Sequence, residues 1–232
     1  MIELFSFGDA GWGDELARGL ATTLILAVVC FATGTLIGLM LMLLRRRGRF
    51  SRMLVELYVT VLRGVPELLV IYLFFFGTGI FVRNVAASFG YTDYINLSGF
   101  FLAALALTCI TAAYSAEVFR GAARSIPTGQ AEAARAFGFT PVKTFRLIEL
   151  PQLLVVALPG LGNIWLILLK DTALVSLTSV AELMRQSSVA AGATFRPFTF
   201  YAVAALIYFI ISMLSERAVL LAERRVAIVE KS

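Results

Sequence analysis

The segment from Glu132 to Pro151 reads E-A-A-R-A-F-G-F-T-P-V-K-T-F-R-L-I-E-L-P and lies between two long apolar runs of the chain. It is charged and compatible with water, although 59% of all residues in the chain are hydrophobic. A turn of a few residues is enough to reverse a pair of neighbouring helices. A polar connection of this length therefore indicates a segment with its own task at a membrane surface.

Composition predicts an integral membrane protein. Only 15% of the 232 residues are charged, whereas soluble domains average about 25%. Several apolar runs approach the ~20 residues that a membrane-spanning helix needs. The expected fold is all-α: a single membrane domain over residues 1–232 with about five transmembrane helices and one polar loop at about residues 119–151.

The five predicted spans are Leu20–Leu44, Val65–Val82, Gly99–Val118, Gln152–Leu169 and Phe198–Val219. A semi-polar helix, Met53–Arg63, is predicted to lie at the interface and to lead into the second span. The fourth span is expected to be broken at Pro159, Gly160 and Gly162. The loop Arg83–Ser98, with Asn84, Gly90, Asp93 and Asn96, and the mixed loop Lys170–Arg196 connect the spans, and the mixed loop is expected to hold short helices.

The distribution of Lys and Arg predicts the orientation. Most of the loop residues of this kind fall on one side, which is therefore cytoplasmic; the N-terminus is then outside and the C-terminus inside. The cytoplasmic set is Arg45, Arg46, Arg47, Arg49, Arg52, Arg120, Arg124, Arg135, Lys143, Arg146, Arg224, Arg225 and Lys231. The outer set is Arg18, Arg83, Lys170, Arg185 and Arg196. Because the basic residues cluster between apolar runs, the net charge of +5 does not indicate a nucleic-acid partner.

The polar loop is predicted to be a helical hairpin. Ala131–Phe137 forms the first helix and ends at Gly138, since glycine commonly follows a helix C-terminus. Pro141 opens a second helix, Val142–Leu150, and Pro151 begins the next span. The alternative is a solvated connection with no further role.

The hairpin resembles the signature loop of ABC importer permeases. The shared pattern is E-A-A at Glu132, then Gly138, then I-x-L-P ending at Pro151. Further matches are A-Y-S-A-E-V-F-R-G-A from Ala113, I-P-T-G-Q from Ile126, R-G-V-P from Arg63, L-K-D-T-A-L from Leu169 and L-A-E-R-R from Leu221. Together they are similar to the polar amino acid uptake branch, which takes up histidine, lysine, arginine, glutamine and opines.

This resemblance implies a permease subunit of a bacterial inner-membrane importer for amino acids, with basic amino acids or opines favoured. The EAA motif would form the coupling helix that contacts a cytoplasmic ATPase subunit. The implied coupling residues are Glu132, Ala133, Ala134, Phe137, Gly138, Ile148, Leu150 and Pro151. The other implied partners are a second permease subunit, identical or homologous, and a periplasmic or tethered solute-binding protein.

The chain itself is not expected to be an enzyme. It contains no G-x-x-x-x-G-K-[ST] motif for nucleotide phosphates, so ATP and Mg²⁺ would be bound by the partner ATPase. It contains no histidine, the commonest metal ligand, and Cys30 and Cys109 lie in apolar runs. We expect no metal site and no cofactor in this chain.

Polar residues within or beside the spans are candidates for the substrate path, because ionisable groups at membrane depth are costly and often functional. The candidates are Asn163, Lys170, Asp171, Glu117, Thr111 and Glu67. The structural alternatives are an ion pair between Lys170 and Asp171 that ends a helix, and hydrogen bonds between helices for Thr111. Glu117 is also a candidate for a gate or a polar contact between subunits. Arg63 and Glu67, four residues apart, could pair with each other or with the loop above. A secondary transporter or channel independent of ATP remains the alternative function.

Gly34 and Gly38 form a small-xxx-small pattern in the first span, which predicts close packing of that helix against a neighbour.

Overall fold

The computed structural model describes residues 2–8, 11–90, 97–178 and 180–229. In these ranges the regular structure is helical. The nine α-helices within the described ranges are α1 (Gly13–Arg45), α2 (Arg49–Gly64), α3 (Glu67–Ser88), α4 (Gly99–Ser125), α5 (Thr128–Ala136), α6 (Pro141–Thr144), α7 (Leu150–Asp171), α8 (Leu183–Thr194) and α9 (Pro197–Val229). Short 3₁₀ helices cover Ile2–Phe5 and Thr172–Leu177, and a π-helical turn covers Phe145–Glu149.

Five helical segments among the described residues are long and apolar enough to cross a membrane, so the predicted number of spans is confirmed. They contain α1, α3, α4, α7 and α9. The helices extend past the predicted spans: α1 begins at Gly13 and α4 continues to Ser125. An apolar run indicates only the part of a helix that lies in the membrane. Backbone hydrogen bonds continue the helix into the polar region beyond it, so the helix is longer than the run. Asp93, Asn96 and Lys231 lie outside the described residues.

The predicted break in the fourth span is wrong. α7 runs without interruption through Pro159, Gly160 and Gly162. The two glycines instead permit close packing: a Cβ on Gly160 would lie 2.7 Å from a methyl carbon of Val118, and one on Gly162 would lie 2.3 Å from a methyl carbon of Val219. Membrane helices tolerate proline where neighbouring helices and local adjustment satisfy the freed backbone groups.

α1 and α4 form the central contact of the bundle, and the glycine pattern explains it. A Cβ on Gly34 would lie 2.7 Å from the Cβ of Thr111, and one on Gly38 would lie 2.6 Å from the Cβ of Ser115. Four residues along α1 thus correspond to four along α4, so the two helices run parallel. The predicted close packing at Gly34 and Gly38 is confirmed, because only a missing side chain leaves space for the partner at this distance.

α2 packs its small apolar residues inward and leaves its larger ones open. Val55 and Val59 are buried against Ala113 and Ala116 of α4. The larger apolar side chains are exposed on the other side: Phe50, Met53, Leu54, Leu57 and Val61. This is the arrangement expected of a helix at a membrane interface with its apolar side toward lipid.

The connection after α7 contains the expected short helices. Thr172–Leu177 is a 3₁₀ turn, and α8 follows a fully buried Glu182. The Glu182 carboxylate accepts hydrogen bonds from the backbone nitrogens of Met184 (2.8 Å) and Arg185 (2.6 Å) and from the Tyr208 hydroxyl (3.1 Å). It caps α8 and joins that helix to α9. Burial raises the pKa of the Glu182 carboxyl.

Candidate functional site

The hairpin between α4 and α7 begins with a short, sharply ended helix. Ile126 and Pro127 are extended and lead into α5, which ends at Ala136. Gly138 has φ +81°, the left-handed conformation that glycine adopts without a steric penalty. The backbone nitrogen of Phe139 donates to the carbonyl of Ala134 (3.1 Å) and that of Gly138 to Arg135 (2.9 Å). These bonds satisfy the last carbonyls of α5, so the predicted glycine stop is confirmed.

The second half of the hairpin is continuous with the membrane span. The Thr140 hydroxyl accepts a hydrogen bond from the backbone nitrogen of Lys143 (3.3 Å), and Pro141 occupies the first turn, a position that proline favours. From there α6, the π turn Phe145–Glu149 and α7 follow one another without a break. The prediction of a separate helix Val142–Leu150, with a new start at Pro151, is therefore wrong. The second half of the hairpin and α7 therefore form one continuous helical segment, so a displacement of the hairpin would act directly on this span.

The side chains of Gln152 and Arg46 fix the hairpin to neighbouring helices. The Gln152 side-chain amide of α7 donates to Gln130 of α5 (2.6 Å) and to the carbonyl of Ile148 (2.8 Å). Arg46, just after α1, pairs with Glu149 in the π turn (2.5 Å). The hairpin is thus tied to α1 and to α7.

An apolar groove of about 690 Å³ runs between α5 and the start of α7. Its lining includes Ala133, Ala134, Phe137, Ile148 and Pro151, all of which belong to the predicted coupling set. The Phe137 side chain lines this groove and is 85% exposed. The groove is therefore open to receive apolar side chains of another protein.

The other predicted coupling residues lie elsewhere. Glu132 is exposed on the opposite side of α5, around a second cavity that it shares with Arg46, Arg135 and Glu149. Leu150 is half-buried and packs on the core with Phe119 and Leu153. The sequence motif thus contains residues that line the groove, the exposed Glu132 on the other side of α5, and Leu150 in the core.

A polar cluster forms where α3 begins, beside the middle of α4. The Tyr114 hydroxyl donates to the Glu67 carboxylate (3.1 Å), and the Arg63 guanidinium lies over the Tyr114 ring at 5.5 Å. Asp171, at the end of α7, is half-buried and within electrostatic range of Glu67 and Tyr114. The tertiary structure thus places Glu67 and Asp171, which are more than a hundred residues apart in the chain, close enough for their charges to interact.

The expected pairing of Arg63 with Glu67 is not formed in the described residues. Arg63 instead pairs with Glu117 at 3.7 Å. Glu117 also binds Arg45 at the end of α1 (3.3 Å) and Arg120 on the next turn of α4. Helical spacing predicts only the contact with Arg120. Arg45 is 72 residues away in the chain, and no sequence pattern near Glu117 predicts that the two residues pair.

Three other path candidates lie apart from this cluster. Thr111 is buried against Gly34, and its neighbour Thr108 hydrogen-bonds to Thr33 of α1 (3.1 Å). This arrangement favours the packing alternative for Thr111. Asn163 and Lys170 are exposed, and no ion pair between Lys170 and Asp171 is formed in the part of the chain that the structure describes.

Residues 34–228 match the family described as "Binding-protein-dependent transport system inner membrane component". The chain belongs to this family. The resemblance predicted from the hairpin motif is thereby confirmed, as is the inner-membrane, multi-pass location. The family members' role is transport across the membrane, and the permease prediction is favoured over an ATP-independent transporter or channel.

Relatives of this inner-membrane component match over nearly their whole length. The nopaline transport system permease protein NocQ of Agrobacterium fabrum (strain C58 / ATCC 33970) is 43% identical over 96% of this chain and 95% of its own. The histidine/lysine/arginine/ornithine transport system permease protein HisQ of Salmonella typhimurium (strain LT2) is 37% identical over 94% and 96%. Among solved structures, a crystal structure of an amino acid ABC transporter with histidines superposes with a TM-score of 0.77 at 31% identity, covering 92% of this chain and 95% of that one.

Proposed function

We propose that this chain is the permease subunit of an ATP-driven ABC importer for basic amino acids or opines. Its similarity to a nopaline permease and to a histidine/lysine/arginine/ornithine permease supports that substrate class. In this proposal a separate cytoplasmic ATPase binds ATP and Mg²⁺. A second permease subunit and a solute-binding protein complete the transporter.

The observation that carries the coupling role is the exposed Phe137 beside an open apolar groove. An exposed aromatic at the rim of a concave apolar surface is the usual form of a binding hot spot. Gly138 holds the end of α5 in one conformation, and the contacts of Gln152 with Gln130 and of Arg46 with Glu149 connect the hairpin to α7 and α1. A force applied at the groove by the ATPase would therefore reach two spans.

The substrate path is proposed to pass the cluster of Glu67, Asp171, Tyr114 and Arg63. A basic amino acid carries a cationic side chain and a carboxylate, and this cluster offers carboxylates and a guanidinium within one region. Opposite charges in partly buried surroundings attract more strongly than they do in water.

The coupling role is tested with the variant Phe137→Ala in the tagged complex purified from its own host. We expect membrane insertion to be retained, and ATPase co-purification and arginine uptake to fall together. Truncating a hot-spot residue costs about 2 kcal/mol or more, which corresponds to roughly a thirtyfold loss of affinity. The matched control is Val142→Ala, which removes an equally open apolar side chain (75% exposed) of the same hairpin from outside the groove lining.

Gly138→Asp is a second variant for the same surface, since it places a charge and a Cβ at the left-handed residue. It should insert normally and lose transport. Normal uptake in both Phe137→Ala and Gly138→Asp would contradict the coupling role.

The path is tested separately with Asp171→Asn, which removes one charge with little change in shape. Transport of basic amino acids should fall while the assembled complex is recovered in normal amount. Unchanged transport would remove Asp171 from the path and leave the coupling role unaffected.

A further inference from the structure

A further cavity, distinct from the one beside Glu132, lies at the predicted cytoplasmic end of the bundle and is lined chiefly by arginines. It measures about 240 Å³ and lies where the last turn of α1, the first turn of α2 and the end of α4 meet. Five of its seven lining residues are arginines, and the other two are Met42 and Ala123. The five residues are Arg45, Arg46, Arg52, Arg120 and Arg124.

The carboxylates near this cavity leave an excess of positive charge. Glu56 pairs with Arg45 (2.5 Å) and Arg52 (3.1 Å), Glu149 with Arg46, and Glu117 with Arg45, Arg120 and Arg63. Hydrogen bonds from Arg52 and Arg45 lower the pKa of the Glu56 carboxyl. Three carboxylates therefore pair with five arginines, and Arg124 adds a sixth positive charge, so the six arginines exceed the three carboxylates by three charges.

The arginines are held in place rather than free to spread into water. The Glu117 carboxylate connects three of them from three helices, α1, α2 and α4, and Arg45 is largely buried, with 17% of its side chain exposed. By contrast, Arg124, which also lines the cavity, is exposed and forms no ion pair in the described residues. The unpaired Arg124, beside arginines that are fixed and carry an excess of positive charge, is suited to a tetrahedral oxyanion, because its free guanidinium can donate two parallel hydrogen bonds.

We propose that this cavity, the arginine pocket, is a phosphate-binding site, and that its ligand is the headgroup phosphate of an anionic phospholipid. The position supports a lipid source: the pocket lies at the ends of the spans α1 and α4, beside the exposed apolar side of α2. The inner surface of a membrane carries anionic lipids, which attract arginines just beyond a span. A bound lipid would join α1, α2 and α4 at the same level as the tie between Arg46 and the hairpin.

The test uses the full-length chain, purified in detergent and freed of lipid, with native mass spectrometry to count bound lipids. The probes are phosphatidylglycerol, phosphatidylcholine with the same acyl chains, and inorganic phosphate. Phosphatidylglycerol should bind more tightly than phosphatidylcholine. Arg124→Gln should weaken its binding about tenfold, the effect of losing a hydrogen bond to a charged group, whereas Arg49→Gln should weaken it less, because Arg49 is exposed and lies outside the pocket lining.

Competition between inorganic phosphate and phosphatidylglycerol distinguishes a soluble phosphate from a lipid headgroup as the ligand. If inorganic phosphate displaces phosphatidylglycerol at low millimolar concentration, the phosphate chemistry stands and the ligand is a soluble phosphate. If it does not, the lipid is the ligand. Equal binding of the two lipids, or equal losses in Arg124→Gln and Arg49→Gln, would overturn the proposal. A photoactivatable phosphatidylglycerol gives an independent measurement on the unmodified chain, which should label the ends of α1 and α4.

Discussion

The coupling hairpin and the contact between α1 and α4 use glycine in opposite ways. In the hairpin, Gly138 has no neighbour within 4 Å of where its Cβ would be, and it is needed for its positive φ. In the α1–α4 contact, Gly34 and Gly38 have ordinary helical conformations, and they are needed because the partner helix occupies the space of a side chain. A glycine can thus be required for a positive φ or for the space that a neighbouring helix occupies. Substitutions at the two kinds of position should have different effects.

The largest expected effect is at the packed contact. Gly38→Ala places a methyl group 2.6 Å from the Cβ of Ser115, and overpacking of this kind costs about 1–3 kcal/mol. The free energy of unfolding, measured by SDS titration in mixed micelles, should fall by that amount. The control is Gly77→Ala in α3, which meets nothing within 4 Å. Equal effects at the two positions would show that the α1–α4 contact is looser than described.

The next effect concerns the buried carboxylate that caps α8. Glu182→Ala leaves two backbone nitrogens and the Tyr208 hydroxyl without their acceptor, and loss of a helix cap costs about 0.5–2 kcal/mol. Glu182→Gln keeps an acceptor and should lose less in the same SDS titration. A glutamine variant as unstable as the alanine variant would mean that the charge, and not the cap, matters.

Glu182 also predicts a pH dependence. Its pKa is raised in the folded protein, so the folded state holds its proton more strongly than the unfolded state. The resulting stability is present below the ordinary pKa of glutamate and is lost as the pH rises through the higher pKa of the folded state. The free energy of unfolding, measured at several pH values across this window, should vary less in Glu182→Gln than in the unmodified protein. An equal pH dependence in the two proteins would contradict the raised pKa.

A local effect on stability, with a clear effect on function, is expected in the hairpin. Gly138→Ala forces a Cβ into the left-handed conformation at a cost of about 1–2 kcal/mol, confined to the end of α5. Gly138→Asn is the control, because asparagine tolerates this conformation better. Uptake should fall further in the alanine variant than in the asparagine variant, while global unfolding changes little in either. Equal uptake in the two would indicate that φ at this position is not what matters.

The smallest effect is expected for one hydrogen bond in the α1–α4 contact. Thr33→Val removes the 3.1 Å contact with Thr108, and such bonds between membrane helices average about 0.6 kcal/mol. The double variant with Thr108→Val measures the coupling directly. A coupling energy near zero would mean that Gly34 and Gly38 carry the contact without help from this pair.

The sequence predicted best where a property is local. The number of spans depends on apolar runs, and the end of α5 depends on a glycine just past a helix. Both were confirmed. The predicted break in α7 and the separate second hairpin helix were wrong, because proline and glycine are ambiguous without their neighbours: at Gly160 and Gly162 those neighbours are Val118 and Val219.

By itself, the sequence determined that the chain is a membrane permease with a polar hairpin of known type, since composition and short motifs are independent of how helices meet. Only the tertiary structure decided which charged groups face each other. Glu117 is joined to Arg45 across 72 residues, Glu67 lies near Asp171, and five arginines share one cavity. The physical reason is that helix packing sets these distances through side-chain contacts between segments far apart in the chain, and hydrophobic periodicity along one helix carries no record of its partner.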